Sequence, residues 1–380
     1  MSHDFVRRLT NSGYVYRPVG GLGSHLHIDF VLLGLLFAIS AYGLLILYSA
    51  VGGETAPVVS QLGKLGVATA VMLVMAQISP VFYMRIAPWL YATGVGLLIL
   101  VPFFGTEVNN ARRWLVIPGV FGFQPSELMK LVVPLVLAGY FQHRHLPPKP
   151  RHVFWVMVII LMPVILVERQ PDLGTAVLIG ASGILVLILA GLPRRMIFGA
   201  AALGVMLAPL LWFFVMKPYQ QGRILTFLDP ERDPLGAGWN TIQAKTAIGS
   251  GGLTGKGIFN GTQSNLDFLP ESQTDFIIAV LAEEQGLLGV VVMMILYLLL
   301  IGRGVIMSIE AQDTFGRLLA GSLTFTFFVY VFVNVGMVSG LLPVVGVPLP
   351  LVSFGGTSIV TLFAGFGLLM SVHTHRRIMM

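Results

Sequence analysis

The sequence predicts an all-α polytopic membrane protein: ten transmembrane helices with one large extracytoplasmic loop between helices 7 and 8. Three observations carry this. The 380 residues are 56% hydrophobic and only 11% charged, against about 25% charged residues in ordinary globular chains. Apolar runs of roughly 18 residues or more, enough to cross a hydrocarbon core, recur along the whole length. Lys and Arg gather in alternate short loops, as the positive-inside rule requires of a chain threading back and forth.

The spans are expected to start near Asp29, Gln61, Ile86, Pro125, Val153, Leu173, Met196, Phe276, Leu318 and Val352. Residues 1–380 read as a single membrane domain with no internal repeat and no second soluble domain. The N-terminal 28 residues lack the small-residue cleavage site of a signal peptide, so the first apolar run is expected to be retained as a helix. The inner segments are then those with Arg7 and Arg8, "HRHLPPKPRH", "PRR" at Arg194 and Arg195, and the tail "HTHRR", and both termini face the cytoplasm. With no cysteine, disulfides and thiolate metal sites are excluded. The formal net charge of +6 sets orientation and does not point to nucleic acid.

Two outer segments are unusual. The loop before helix 4 carries "NNARRWL", with Arg112 and Arg113 on the side expected to be poor in basic residues. The loop 217–274 is long enough to be functional or disordered. Its interleaved Trp, Phe, Ile and Leu do not suit a disordered linker, and Thr241–Ile248 suits a short helix on the membrane surface. Within it, "AIGSGGLTGKG" superficially suggests a phosphate-binding P-loop. It fails that pattern at Ser250 and Gly257, so its glycines are expected to let the backbone turn sharply against another loop or the membrane surface.

Several polar residues enter apolar stretches. In "FQPSELMKL", Glu127 and Lys130 share one helix face; either they form an internal ion pair or Lys130 faces an anionic substrate with Glu127 holding it. In "VERQPDLGT", Glu168, Arg169 and Asp172 are either caps and a surface pair or substrate-facing. His143, His145, His373 and His375 read as solvated flanks. Asp275, in "PESQTDFIIAVLAEEQGLLG", is placed to cap its helix or to act as a general base. Glu283 and Glu284 lie roughly 12 Å deeper along the same helix. Asp275 and Glu283 are about 80° apart around it, a poor fit to two carboxylates closing on one glycosidic bond. The segment "GLLPVVGVPLPLVSFGGTS" is expected to line a cavity, because irregular backbone at membrane depth needs protein or water partners. Its hydroxyls Ser353, Thr357 and Ser358 either contact sugar or phosphate, or simply pack.

Taken in order, "NNARRWL…FQPSELMKL", "RQPDLGTA", "YQQGRILTFLDPERDPLGAGWN", "AIGSGGLTGKG", "GTQSNLDFLPESQTDFIIAVLAEEQGLLG" and "LLPVVGVPLPLVSFGGTS" resemble the SEDS family (shape, elongation, division and sporulation) over nearly the whole chain. The "GTQS…LDFLPE" wording is closer to the elongation members than to the division homologue. The resemblance implies ten helices in the bacterial cytoplasmic (inner) membrane with both termini cytoplasmic. It implies a peptidoglycan glycosyltransferase that polymerises lipid II outside the membrane, with an essential acid in the TDF element, here Asp275. It also implies a class B penicillin-binding protein as transpeptidase partner, together with MreC, MreD and the MreB filament.

The expected reaction is inverting. Asp275 takes the proton of an acceptor sugar hydroxyl, and undecaprenyl pyrophosphate leaves. Arg112, Arg113, Lys130, and Lys245 or Arg223 offset its charge. Mg or Mn is the one cofactor this leaves room for, with no organic cofactor. Two rivals are a lipid II flippase and a non-catalytic scaffold for the transpeptidase; both predict that a mild change at Asp275 leaves the core activity intact.

Overall fold

The computed structural model describes residues 26–375 except 109–110, 118–120, 215, 235, 237 and 266–270. Arg7, Arg8, the final arginines of the tail and most of "LDFLPE" therefore lie outside the described residues. Helix α1 (Phe30–Ala50) begins where Asp29 accepts the Leu32 amide. Helices α2 (Thr55–Gln77) and α3 (Pro80–Phe104) follow. After a short sheet come α4 (Pro125–Phe141), α5 (Pro150–Arg169), α6 (Leu173–Leu189) and α7 (Arg194–Phe214). The outer loop holds α8 (Pro218–Leu228), α9 (Trp239–Gly251) and the short α10 (Thr262–Asn265). The chain closes with α11 (Ile277–Ile309), α12 (Thr314–Val338) and α13 (Thr357–Thr374).

Among the described residues, eight helices are long and apolar enough to cross a membrane. Helices α4 and α6 have 17 residues each, about 26 Å at 1.5 Å per residue, slightly short of a hydrocarbon core of about 30 Å. Several helices start earlier than their apolar runs: Thr55 rather than Gln61, Pro80 rather than Ile86, Thr314 rather than Leu318. Their first turns are polar or opened by proline at the first helical position, where its missing N–H costs nothing. The last helix starts later, at Thr357, because "PLPLVSFGG" is non-helical, with Leu351 at φ 66°.

One feature adds to the helical reading, and two expectations need correction. The architecture is nearly all-helical, and to it the chain adds a small three-stranded antiparallel sheet, β1 (Thr106–Val108), β2 (Ala111–Ile117) and β3 (Phe121–Phe123). Alternation along β2 exposes Arg112 and turns Arg113 inward, the period of two that strands impose.

The expected surface helix is α9, but Thr241, Ala244, Ala247 and Gly251 on it are buried. It packs on α11, and a Cβ at Gly251 would collide with the Ala282 carbonyl.

The span expected from Phe276 is broken at Gly286 (φ 65°, ψ −162°). Ile277–Glu284 above the break is buried, whereas Leu287, Leu288, Val291, Val292, Ile295 and Leu298 below it are exposed. The glycine segment fills that break with backbone bonds. Lys256 N donates to Glu283 O at 3.0 Å, Gly257 N to Glu284 O at 2.8 Å, and Leu287 N to Gly252 O at 3.0 Å. The glycines turn the backbone sharply, with Gly252, Gly255 and Gly257 at positive φ, and the segment docks on the break in α11 rather than on another loop or the membrane surface.

Helix α12 is the centre of the bundle, packed on α4, α6 and α11, with most of its residues buried. Helix α7 is its opposite: none of its residues is buried.

Candidate functional site

Asp275 sits in the turn before α11. The residue in N-cap position is Phe276, and no side chain caps this helix. Capping is therefore not what Asp275 does. Among the described residues its carboxylate accepts no hydrogen bond. Burial pushes its pKa up to about 6, the nearby Glu271 carboxylate adds to this, and the Arg223 guanidinium opposes it. Across from it, a Cβ placed on Gly346 would lie 3.5 Å from Oδ2, so the carboxylate faces the irregular segment between α12 and α13.

That turn is held by its main chain. Asn334 of α12, fully buried, donates through Nδ2 to the Asp275 carbonyl at 2.8 Å and to the Val347 carbonyl at 2.7 Å. Ser353 Oγ donates to the Thr274 carbonyl at 2.5 Å and accepts from Leu349 N at 2.8 Å. Phe354 N donates to the Gln273 carbonyl at 2.9 Å, and Gln61 Nε2 to the Ser353 carbonyl at 3.1 Å. The hydroxyl of Ser353 is thus committed to backbone, and its role is to position the turn. Sequence reasoning missed Asn334 and Gln61. A lone amide in an apolar span is itself a signal, since polar groups there face the bundle interior.

The cations anticipated around Asp275 divide into two kinds. Arg112 pairs with Glu107 across β1 and β2 at 3.6 Å, both more than half exposed. Arg113 donates to the carbonyls of Gln170 and Pro171 at the α5–α6 turn and lies 4.0 Å from Asp172. Asp172 in turn caps α6 at Thr175 N and accepts from Gln124 Nε2. Glu168 pairs with Lys217 at 3.3 Å. Lys130 is buried against Glu127 at 2.6 Å and the Tyr330 hydroxyl, beside a gap of ≈ 40 Å³. Glu127 keeps one buried oxygen without a partner, and it also lines a larger apolar groove of ≈ 730 Å³ between α2, α4 and α13. Thr357 and Lys64 line that groove too, with Lys64 Nζ 3.6 Å from the Phe354 ring centre.

Lys245 and Arg223 differ: among the described residues neither makes an ion pair, and both line a second cleft of ≈ 300 Å³ between α8, α9 and the start of the α12–α13 segment. Glu283 and Glu284 are saturated instead. Glu283 accepts from Lys256 Nζ, Thr262 N and Oγ1, and Gln263 N at 2.8–3.2 Å; Glu284 accepts from Ser49 Oγ at 2.6 Å and Phe259 N at 3.2 Å. They anchor the outer loop.

Residues 25–378 match the family model of the cell cycle proteins FtsW, RodA and SpoVE. The chain belongs to that family. It is 50% identical over 353 residues to the peptidoglycan glycosyltransferase MrdB of Escherichia coli K12, covering 93% of this chain and 95% of that one. It is 32% identical to the peptidoglycan glycosyltransferase RodA of Treponema pallidum, covering 92% and 98%. Among solved structures it resembles a chain from a peptidoglycan synthase complex that coordinates polymerization and crosslinking, with TM-score 0.80 and 33% identity over 91% of this chain and 97% of that one. It also resembles the rod shape determining protein RodA of Thermus thermophilus, with TM-score 0.68 and 29% identity over 91% and 96%. Family membership makes the chain a polytopic membrane protein of the SEDS type, as its motifs imply.

Proposed function

We propose that this chain is the peptidoglycan glycosyltransferase its relatives are named for, polymerising lipid II on the outer face of the bacterial inner membrane during elongation, with Asp275 as general base. The observation that carries this is the state of Asp275: a carboxylate with no hydrogen bond among the described residues, a pKa raised to about 6 and a backbone held by Asn334. A base is most effective when its pKa lies close to the working pH.

The acceptor's 4-hydroxyl gives its proton to Asp275 as the oxygen bonds to the anomeric carbon of the growing strand. The bond from that carbon to the diphosphate oxygen breaks, and its electron pair leaves on the diphosphate. The α-linkage inverts to β.

The apolar groove between α2, α4 and α13 suits the polyprenyl chain of a lipid-linked substrate, with Lys64 and Thr357 near its head. A Mg or Mn ion would bind chiefly through the diphosphate's own oxygens, as Mg usually does, since no group of three His, Asp or Glu converges among the described residues. The ten-span reading, with α4 and α6 included, puts both termini in the cytoplasm. The partners that fit are a class B penicillin-binding protein and, through it, MreC, MreD and MreB.

The test is polymerisation of fluorescent lipid II by the full chain with its transpeptidase, wild type against Asp275→Asn. Loss of glycan ladders with an intact complex supports the reading. Ladders at the wild-type rate overturn it and favour the flippase or scaffold.

A further inference from the structure

Among the cations anticipated around Asp275, Arg112, Arg113 and Lys130 are held by Glu107, by main-chain carbonyls and by Glu127 respectively. Arg223 and Lys245 are left, and they share the cleft between α8, α9 and the residues after α12. Tyr219, Thr226 and Thr241 line the same cleft. Gly340 (φ 73°) is what lets Lys245 in, because a Cβ there would occupy the position of Lys245 Cε. Two cations and three hydroxyl-bearing side chains lining one cleft suit an anion with several oxygens.

Arg223 is also near enough to oppose the pKa rise at Asp275, whereas solvent-exposed charges are largely screened beyond about 10 Å. An anion in this cleft is therefore within electrostatic reach of Asp275.

A glycan polymerase handles two lipid-linked diphosphates at once, and geometry separates them. The donor's diphosphate oxygen is bonded to the very carbon that is attacked. The acceptor's diphosphate lies a whole disaccharide from the hydroxyl that Asp275 deprotonates. We infer that the Arg223–Lys245 cleft is the subsite for the donor's diphosphate, the leaving group, and that the groove between α2, α4 and α13 is left for the acceptor lipid. This rests on the proposed glycosyltransfer. When the donor bond breaks, the electron pair stays on the diphosphate, and the guanidinium and ammonium stabilise the charge that develops there.

The probe is undecaprenyl diphosphate, which is the leaving group without sugar, bound to the full chain carrying Asp275→Asn so that no turnover intervenes. Lys245→Met and Arg223→Gln are each expected to weaken its binding tenfold or more. Arg232→Gln, an exposed cation on the same outer loop, should leave binding within twofold. Undecaprenyl monophosphate should bind at least tenfold more weakly than the diphosphate.

Wild-type affinity in both cleft variants would overturn the assignment. So would equal competition by phosphatidylglycerol vesicles, which would make the cleft a general anionic-lipid site. If Arg223→Gln does not fold, Lys245→Met decides alone, because methionine keeps the stem that lies over Gly340. Normal binding in cleft variants beside a dead Asp275→Asn rejects this subsite and leaves the base in place. Lost binding beside an active Asp275→Asn rejects the base and leaves the subsite.

Discussion

Asp275 and Glu283 lie eight residues apart on one stretch of chain, and the protein treats them in opposite ways. Glu283 is fully buried and accepts from Lys256, Thr262 and Gln263. Asp275 is half-buried, and among the described residues its carboxylate has no donor at all, although its carbonyl and that of Thr274 are both held. A buried carboxylate is costly unless paired, so Glu283 is where the protein spends donors to fix a loop. At Asp275 the donors are withheld from the side chain and given to the backbone. The acid is kept in place and left chemically available.

The sharpest way to break this contrast is Asp275→Asn. If the carboxylate is a base, polymerisation should fall by about 10²–10⁴-fold, with thermal stability and partner binding unchanged. A loss of stability instead would make Asp275 a structural acid like Glu283.

Next in size, Asn334→Ala removes the amide that holds both the Asp275 and Val347 carbonyls. Each orphaned carbonyl costs about 1–3 kcal/mol, so a lower melting temperature is expected together with a fall in kcat at nearly constant KM. A change in KM alone would mean that the amide serves substrate binding.

Glu283→Ala should destabilise the fold by about 3 kcal/mol and free the outer loop to protease, while the pH profile of the remaining activity keeps its midpoint.

The smallest effect is the pH profile itself. A raised carboxylate pKa means the base is ionised only above about 6, so activity should fall as pH drops through about 6. An ordinary carboxylate would hold its activity down to about pH 4. Glu271→Gln removes a like charge and should move the midpoint down, and Arg223→Gln should move it up.

Much of this was legible in the residues. The apolar runs place the helix starts to within six residues, and the TDF element marks Asp275. The roles of the remaining polar groups were not legible, because they depend on pairing across long sequence separations. Lys130 and Arg113 look like substrate cations until Tyr330 and the Gln170 carbonyl are brought against them. Ser353 looks like a sugar contact until its hydroxyl is found on Thr274. The strand pair around Arg112 is too short to outweigh the helical signal on both sides, and Gly286 passes as one more glycine in an apolar run. Asn334 was visible as a lone amide among Phe, Val and Gly, and its two partners were not.

The break at Gly286 divides α11 into an upper arm sheathed in protein and a lower arm of 23 residues, Leu287–Ile309, about 34 Å long at 1.5 Å per residue. Of the two, it is the lower arm that exposes a row of apolar side chains suited to lipid. A thinner or thicker bilayer is therefore accommodated by tilting that arm, while the upper arm stays bolted to the outer loop through Glu283 and Glu284. Asp275 thus rides on a mount set apart from the lipid-facing arm, so the geometry proposed for glycan synthesis is expected to hold while the membrane beneath it is stretched by turgor.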